Sequence, residues 1–464
     1  MGGLYDALGV GLNTLVSHQA GIAVTGHNIA NVNTEGFHRQ EVQVKARGSG
    51  TYGIEIAKVR RHTDEFLARR LHAQEGTLGH SNARASGLQS VEAVVGNQGE
   101  FGLSATLDRF FASWRELSVF PQEASQRGET LTATQSLVNA VQRIDDTIAD
   151  AREDANIEIG RVVGEVNVLI ADVSRLNREI VENEAYGEDA NELKDQRDNA
   201  ARDLGELMGA TTTYDEDGSI SIQLGGGVNL VQRDTTIPLE ARNRDDDGDG
   251  VVDSPFFDIW TNSGVDFSVN DRLGGKLAGL LQLRDVDLAD RENELDEFAY
   301  DLVNATNAVH EANFDLDGNA GSNLFDAMTE VSGAAEAITI NADIEDDVDL
   351  LAAADSAANA PGSGVGALAM AQIEQANIAS SGTQTLSESA NLLQTNYLFS
   401  LREALHAEEG SGQRLDLLDQ LRESHSGVSI EEEMMSLSKY QRAFQGASKV
   451  MTTVDQMLQT LIGM

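Results

Sequence analysis

The chain has 464 residues, 41% of them hydrophobic, with 33 basic and 76 acidic side chains, a formal net charge of −43 and no cysteine. This negative charge argues against a nucleic-acid partner, because phosphates are repelled wherever Lys and Arg are not concentrated. The lack of cysteine excludes disulfides, thiolate metal sites and thiol nucleophiles, and the length allows about three domains.

No stretch of the sequence has the apolar length of a membrane span, which needs roughly 18 to 20 residues. The N-terminus also lacks the basic start, apolar core and cleavage site of a secretory signal. We therefore expect no membrane insertion. A cytosolic protein and a protein exported with an uncleaved N-terminus both fit this composition.

The first predicted element is an amphipathic helix with an apolar residue at every seventh position. This stripe consists of Leu8, Leu15, Ile22 and Ile29, and it is widened by Leu4, Leu12, Ala20 and Ala23. Such spacing is typical of a coiled-coil seam. Turn-forming residues should end the helix directly afterwards, namely Asn31, Asn33, Thr34 and Gly36. Alternating apolar residues between positions 42 and 56 then predict a short hairpin or extended arm.

Helical periodicity dominates the next part of the chain. An amphipathic segment over residues 101–121 is stopped by Pro121, and a proline-free run from 129 to about 184 predicts one long helix. Another helix is expected from about residue 189 through NELKDQRDNAARDLGELMG. The pattern then switches to period two over residues 211–232, where the pair Asp217-Gly218 is a strong hairpin signal. A strand-rich module should continue to about residue 270.

The remaining part of the chain is predicted to be mainly helical. We expect helices over residues 275–313, 367–423 and 430–461, with a mixed acidic region from 325 to 365. Helices before and after the strand-rich module must pack together, so that module is interpreted as an insertion in a discontinuous helical domain.

The last helix has the clearest start and seam. Ser429 and Glu432 form an S-x-x-E capping box, which places the helix start near Ile430. Its seam alternates spacings of three and four and consists of Leu437, Tyr440, Phe444, Ala447, Met451, Val454, Leu458 and Leu461. An ordinary helix docked on a globular core would show a similar stripe. We expect the first and last helices to pair, because chain ends are rarely so strongly patterned.

The predicted fold class is mainly α with inserted β. Residues 1–61 and 427–464 would form a terminal coiled-coil polymerisation domain, and residues 62–210, 271–324 and 367–426 a discontinuous long-helix bundle. Residues 211–270 would form a smaller β-rich outer module, and residues 325–366 a mixed acidic outer segment.

One acidic loop partly matches a calcium site. Four carboxylates occupy positions 1, 3, 5 and 9 of an EF-hand loop, namely Asp245, Asp247, Asp249 and Asp253. The match fails at position 12, where Phe256 replaces the bidentate Glu, and no helices are predicted on either side of the loop. A solvated acidic turn is the favoured interpretation, and a weak calcium site is the alternative.

No pattern in the sequence predicts catalysis or a cofactor. The nine histidines are dispersed without an H-E-x-x-H motif, and no phosphate-binding glycine loop precedes a helix. The glycines at positions 225–227 lie between apolar runs and are better explained by a hairpin turn. We therefore expect a protein that is not an enzyme.

Several motifs resemble one protein family. NIANVNTEGFHRQ at residues 28–40 and the segment from GVSIEEEMMSLSKYQRAF onward are similar to the two ends of bacterial flagellar rod, hook and hook-associated axial proteins. Interior motifs, LDRFFASWRELSVFP, NELKDQRDNAARDLGELMG and SISIQLGGGVNLV, resemble the hook-associated protein 1 family, which forms the first hook–filament junction. The similarity weakens over residues 242–271 and 325–366.

The resemblance implies a structural role in the flagellum. Its family pairs the two terminal helices as the inner tube of an axial polymer, and exports its subunits uncleaved through the flagellar type III channel to the cell exterior. The implied partners are further copies of the chain, the hook protein, the second hook–filament junction protein and an export chaperone at residues 430–461. The family signature falls on Asn28, Asn31, Thr34, Gly36 and Phe37, which should fix the turn after the first helix.

Two alternatives follow from the same residues. A hook or distal-rod subunit would share both terminal motifs but should lack the DQRD and FFASW helices. A calcium-dependent extracellular binding protein would instead use the acidic loop, and its isolated β-rich module would function without polymerisation.

Overall fold

A computed structural model describes residues 2–34, 36–46, 54–97, 99–245, 254–267 and 272–463. The first seven helices are α1 (Gly2–Ala30), α2 (Glu65–Val95), α3 (Leu103–Val119), α4 (Ala124–Ala185), α5 (Asn191–Met208), the shorter α6 (Gly275–Gln282) and α7 (Leu288–Glu311) in the described part of the chain. They are followed by the short α8 (Ala334–Ala337) and α9 (Ala342–Asp346), and by α10 (Val365–Gln372), α11 (Leu386–Ser426) and α12 (Ile430–Ile462). None of the helices in the described ranges is both long and apolar enough to cross a membrane.

The strands form small antiparallel sheets. β1 (Gln40–Ala46) pairs with β2 (Ile54–Arg61). A second sheet has the order β3-β4-β5-β6, with strands Thr211–Tyr214, Ile220–Leu224, Val228–Gln232 and Thr235–Thr236. β7 (Leu239–Asn243) pairs with β8 (Phe257–Thr261). Mainly helical structure with inserted hairpins confirms the predicted fold class.

Helix α4 is the longest of the described helices, and much of the molecule packs along it. It has 62 residues, which at 1.5 Å per residue spans about 93 Å. Its apolar residues recur at helical spacing, and Leu137, Val141 and Ile159 are fully buried. We call residues 65–426 the body, because α3, α5 and α7 and both later sheets pack along α4 around one continuous hydrophobic cluster.

Most element predictions are confirmed, including the long helix, the hairpin at Asp217-Gly218 and the turn at residues 225–227. The predicted helix over 275–313 differs in its middle, because residues Leu283–Asp287 form a π-helical segment. This wider turn directs the fully buried Arg284 toward the β7–β8 hairpin, where its Nη1 donates to Asn156 Oδ1 (2.7 Å) and to the Phe257 carbonyl (2.9 Å).

The predicted helix over 367–423 is wrong as one element. The chain leaves α10 and turns at Ser380, Ser381 and Gly382, which all have positive φ. A capping box between Thr385 and Glu388 then starts α11. That T-x-x-E signal was present in the sequence, but the continuous apolar pattern around it concealed the break.

Residues 325–366, predicted as a mixed acidic outer segment, place apolar side chains in the hydrophobic cluster along α4. Phe325, Ile338 and Leu351 are fully buried there. The backbone N–H of Ala352 donates to Nε2 of the buried His310 (2.9 Å), whose Nδ1 lies 2.5 Å from the Ser322 carbonyl oxygen. This network fastens the segment to α7.

Candidate functional site

The two ends of the chain meet as one helix pair, which we call the terminal pair (α1 and α12). Residues early in α1 face residues late in α12, so the helices are antiparallel. A Cβ built on Gly11 would lie 2.6 Å from Met451 Sδ, and one built on Gly21 would lie 2.8 Å from the Tyr440 ring. Glycine at these positions therefore allows close approach of the two helices. The His18 ring also lies 6.1 Å from the Tyr440 ring.

The apolar stripe of α1 is not its most buried face. The buried positions are small or polar, namely Gly11, Ser17, Gly21, Thr25 and Asn28. The predicted stripe is half-buried at Leu8, Leu15, Ile22 and Ile29. Close packing against α12 thus uses the small residues, and the larger apolar side chains flank that contact.

The α12 seam is also incompletely covered. Val454 is buried, while half-buried positions are Leu437, Tyr440, Phe444, Ala447, Met451 and Leu458. Leu461 lies in α12, but its side chain is outside the described part of the structure. Exposed apolar side chains border the pair on both helices, with exposed fractions of 54% for Leu12, 50% for Val16, 54% for Val450 and 53% for Met457. One helix pair therefore leaves apolar surface available for further helices.

The signature residues form the turn after α1. Asn31 Nδ2 donates to the His27 carbonyl (3.0 Å), and the Thr34 hydroxyl donates to Asn31 Oδ1 (3.1 Å). Gly36 has φ +73°, and any Cβ there would overlap the Asn199 side chain of α5. The Phe37 ring packs edge-on against His27 at 5.4 Å. These contacts end α1 and pack the turn against the body.

Asn28 connects three segments that are distant in sequence. Its Nδ2 donates to the Gln40 carbonyl (2.9 Å) and to Glu433 Oε2 (3.0 Å), and its Oδ1 accepts from the Gln40 N–H (3.0 Å). Arg39 Nε donates to the other oxygen of Glu433 at 2.7 Å. Asn28 and Glu433 are both buried. Their full pairing avoids the cost of an unmatched buried amide and carboxylate.

The start of α12 confirms the predicted boundary, with one difference at the cap. The Ser429 side chain accepts from the Glu432 N–H at 3.5 Å. The Glu432 carboxylate, expected to return to Ser429, lies 3.7 Å from Arg39. Glu432 therefore forms an ion pair with the signature segment in addition to supplying the capped N–H.

The hairpin β1–β2 and the signature turn both contact α5. We call this contact the joint. Asp195 Oδ1 accepts from Arg61 Nη1 (2.5 Å) and lies 2.8 Å from His38 Nδ1, and Asp198 Oδ2 accepts from Arg61 Nη2 (2.9 Å). Burial lowers the pKa of Arg61, but Asp198 and Asp195 outweigh it, so that its pKa lies above the usual range. The joint is therefore ionic, unlike the apolar core of the body.

Arg197 extends this network into the body. It is 1% exposed, and its Nη1 donates to the Gly218 carbonyl (2.7 Å) and to Asn177 Oδ1 (3.3 Å) on α4. Asn177 Oδ1 in turn accepts a hydrogen bond from the Ile220 N–H (3.0 Å). The DQRD sequence at residues 195–198 thus links the hairpin, α4 and the β3–β4 turn. Besides its family resemblance, this motif carries a local signal that indicates a shared ionic contact, because two acids three residues apart lie on one helix face.

A cavity of about 300 Å³ lies beside the joint and is lined by charged side chains of β2, α2 and α5. Burial raises the pKa of Glu75 to about 7 and lowers the pKa of His72 to about 4. Glu75 Oε1 lies 3.6 Å from Arg202 Nε. Both groups lie where α2 packs on α5.

One of the four candidate calcium ligands belongs to the described residues. Asp245 belongs to the described chain, whereas Asp247, Asp249 and Asp253 lie outside the described residues. Phe256, at position 12 of the EF-hand numbering, packs against two arginines. The guanidinium carbons of Arg152 and Arg284 lie 4.8 and 5.1 Å from the centre of its ring. Within the described ranges, no cluster of His, Asp and Glu side chains could hold a metal ion.

Comparison with known families gives two matches. The model of the flagellar hook-associated protein FlgK helical domain matches residues 88–325, a little over half of the chain. The model of the flagellar basal body rod FlgEFG protein C-terminal region matches residues 422–464, which include all of α12.

Individual relatives agree with these matches. The chain is 25% identical to flagellar hook-associated protein 1 of Bacillus subtilis, over 97% of this chain and 96% of that protein. It is also 25% identical to the protein of the same name from Salmonella typhimurium, over 68% of this chain but 59% of that protein. The solved hook junction protein FlgK from Burkholderia pseudomallei shares the fold with a TM-score of 0.66 at 14% identity, covering 78% of this chain and 100% of that one.

Proposed function

The chain belongs to the family of flagellar hook-associated proteins that share the FlgK helical domain, and from this premise we propose that it is the structural subunit that joins the flagellar hook to the filament. It would act by axial self-assembly and not by catalysis. The family assignment made from the sequence motifs is confirmed.

One observation carries the proposal: the two chain ends form a single helix pair whose apolar surface is only partly covered. Within the pair, exposed Leu12 and Val16 flank the contact on α1, and exposed Val450 and Met457 flank it on α12. A subunit with such ends would complete its burial against the terminal pairs of neighbouring copies. The body would then project outward from this inner tube.

The residues proposed for axial assembly are those of the two stripes. They are Leu8, Leu15, Ile22 and Ile29 on α1, and Leu437, Tyr440, Phe444, Met451, Val454, Leu458 and Leu461 on α12. The signature residues Asn28, Asn31, Thr34, Gly36 and Phe37 would hold the terminal pair at a defined position on the body. Support comes from the contacts of Asn28 with Glu433 and of Gly36 with α5.

The partners follow from the junction role. Hook protein would bind on one side and the second hook–filament junction protein on the other. Before assembly, an export chaperone would cover the exposed apolar stripe of α12, by binding a helix in a groove. The chain would leave the cell uncleaved through the flagellar type III channel and function outside it. The FlgK helical domain match favours this role over that of a hook or distal-rod subunit.

Electron microscopy of flagella from a strain lacking this chain tests the proposal. We expect intact hooks without filaments and flagellin released to the medium, both restored by the wild-type gene. A Leu458→Asp variant should fail to restore filaments while its body unfolds at the wild-type temperature. Missing hooks would instead indicate a rod or hook subunit, and normal flagella would contradict the junction role.

A further inference from the structure

The first turns of α2 carry an exposed aromatic residue about one turn before two adjacent arginines. Phe66, Arg69 and Arg70 have the spacing i, i+3 and i+4, so they share one helix face. Phe66 is 65% exposed, and both arginines are exposed without an ion-pair or hydrogen-bond partner among the described residues. The opposite face of α2 packs against α11 through Leu67 and Leu71. We call Phe66, Arg69 and Arg70 the basic patch.

This patch is unusual for such an acidic chain. Acidic residues outnumber basic ones by 76 to 33, and many arginines of the body are paired, as Arg84 and Arg152 are. Two adjacent unpaired arginines beside an exposed phenylalanine therefore form a site suited to a partner that is both acidic and apolar.

The first turns of α12 carry the complementary chemistry. Glu431, Met434 and Met435 also have the spacing i, i+3 and i+4. Met434 is 55% exposed and Met435 is 67% exposed, and Glu431 is exposed without a partner in the described part of the chain. We call these residues the acidic patch. Thioether sulfur packs favourably against aromatic rings, and carboxylates pair with guanidinium groups.

Both patches lie at the level of the joint. The His62 N–H donates to the Arg39 carbonyl (2.8 Å), and the Arg39 N–H donates to the Ser426 carbonyl (3.2 Å). These hydrogen bonds place the segment just before α2 beside the segment just before α12. A neighbouring copy that stands alongside at the same level can therefore present its acidic patch to the basic patch.

We propose that the acidic patch of α12 binds the basic patch of α2 on a second copy of this chain. The contact joins two different surfaces, so it is head-to-tail, and its repetition generates a ring or a helical array instead of a closed dimer. This inference rests on the proposed function and specifies which surfaces meet outside the terminal pair. The contact between the two patches also reduces the electrostatic repulsion between subunits that each carry a charge of −43.

Disulfide trapping in assembled flagella tests the contact, because the natural chain has no cysteine. The Phe66→Cys/Met435→Cys variant, expressed in the deletion strain, should give a ladder of covalent multimers on mild oxidation. Each single variant should give no ladder beyond a dimer. A matched pair, Phe399→Cys/Met435→Cys, uses an equally exposed phenylalanine (70%) on α11 and should give no ladder.

Charge reversal provides the second measurement. Arg69→Glu/Arg70→Glu should reduce the number of attached filaments by about tenfold, and adding Glu431→Arg should restore most of them. Arg178→Glu/Arg402→Glu, which changes two exposed arginines elsewhere on the body, should leave the number unchanged.

The outcomes separate the two claims. Attached filaments without a Phe66–Met435 ladder, or with undiminished numbers in the charge-reversed variant, would overturn the proposed contact and leave the junction role intact. Failure of the wild-type gene to restore filaments would instead count against the junction role. A ladder in the Phe66 pair together with rescue by Glu431→Arg would establish the contact.

Discussion

The body and the terminal pair are both helical, but they bury their apolar residues to different extents. In the body, Leu107, Phe110 and Trp114 of α3 are completely inaccessible to solvent. In α12, only Val454 among the described hydrophobic side chains is buried, at 8% exposed. The body can therefore be stable as a single chain, whereas the terminal pair leaves apolar surface uncovered in the single chain.

The joint differs from both regions because charges hold it together. His38 and Arg61 contact the carboxylates of α5, and the backbone N–H of Val59 donates to Asp189 Oδ2 at 2.6 Å. These ion pairs are largely buried, and they contribute less net stability than apolar burial because removing both charges from water offsets part of their attraction. We therefore expect the body to be the most stable region against unfolding, the terminal pair to be less stable, and the joint to open locally. Four experiments test this expectation.

The largest effect is expected in the body. Phe110→Ala should lower the free energy of unfolding by about 3–5 kcal/mol, because it leaves a cavity in a core that cannot fully collapse. Leu12→Ala on α1 should change it by less than about 0.5 kcal/mol, because that side chain is already 54% exposed in the single chain. Urea unfolding of the monomer measures both. Equal losses would mean that the terminal pair is as well packed as the body.

The second effect depends on pH and again concerns the body. Burial lowers the pKa of His310 to about 4 from a usual value of 6.5, so the unfolded chain binds the proton more readily. The stability that the neutral ring provides is complete above pH 6.5 and is lost as pH falls toward 4, by about 3 kcal/mol in total.

His310→Gln removes this titration but keeps a donor and an acceptor. Its stability should therefore fall less than that of the wild type between pH 7 and pH 4.5, as measured by urea unfolding at each pH. Carboxylates such as Asp145, whose pKa burial raises to about 6, titrate in both proteins and cancel in the difference. Parallel pH profiles for the two proteins would contradict the assignment.

An intermediate effect is expected at the joint. Asp195→Asn weakens the contacts with Arg61 and His38, and should make local opening of the hairpin easier by about 1–2 kcal/mol. Hydrogen exchange of the β1 and β2 amides should become about tenfold faster, with little change in α4. Asp172→Asn, which removes a surface pair with Arg175, is the control. Unchanged exchange in the hairpin would show that Asp195 does not hold the joint.

The smallest effect compares two glycines of α1. Gly21→Ala would place its Cβ 2.8 Å from the Tyr440 ring, whereas a Cβ at Gly26 meets nothing within 4 Å. Gly26→Ala should stabilise the helix by about 0.5–1 kcal/mol, and Gly21→Ala should destabilise the terminal pair by about 1 kcal/mol. Far-ultraviolet circular dichroism during thermal unfolding measures the difference. Stabilisation by both substitutions would mean that α1 and α12 do not pack closely in the monomer.

Some elements of the fold could be predicted from the sequence, and others could not. The long helix α4 and the hairpin at Asp217-Gly218 were predictable because each depends on local periodicity and turn chemistry. The break between α10 and α11 was missed because its apolar pattern is continuous. The π-helical segment was missed because it depends on where Arg284 must reach, and Asn156 and Phe257 lie far away in sequence.

The sequence by itself determined the family, the helical class and the existence of two amphipathic chain ends, because heptad spacing, capping residues and motifs are local properties of the chain. Only the tertiary structure decided which face of α1 is covered. Gly11 and Gly21 approach α12 closely, and the leucine and isoleucine stripe is only half-buried, because the closest approach of two helices is set by the smallest side chains between them. The ionic joint was also decided there, since Arg61 and Asp195 are brought together by the path of the whole chain.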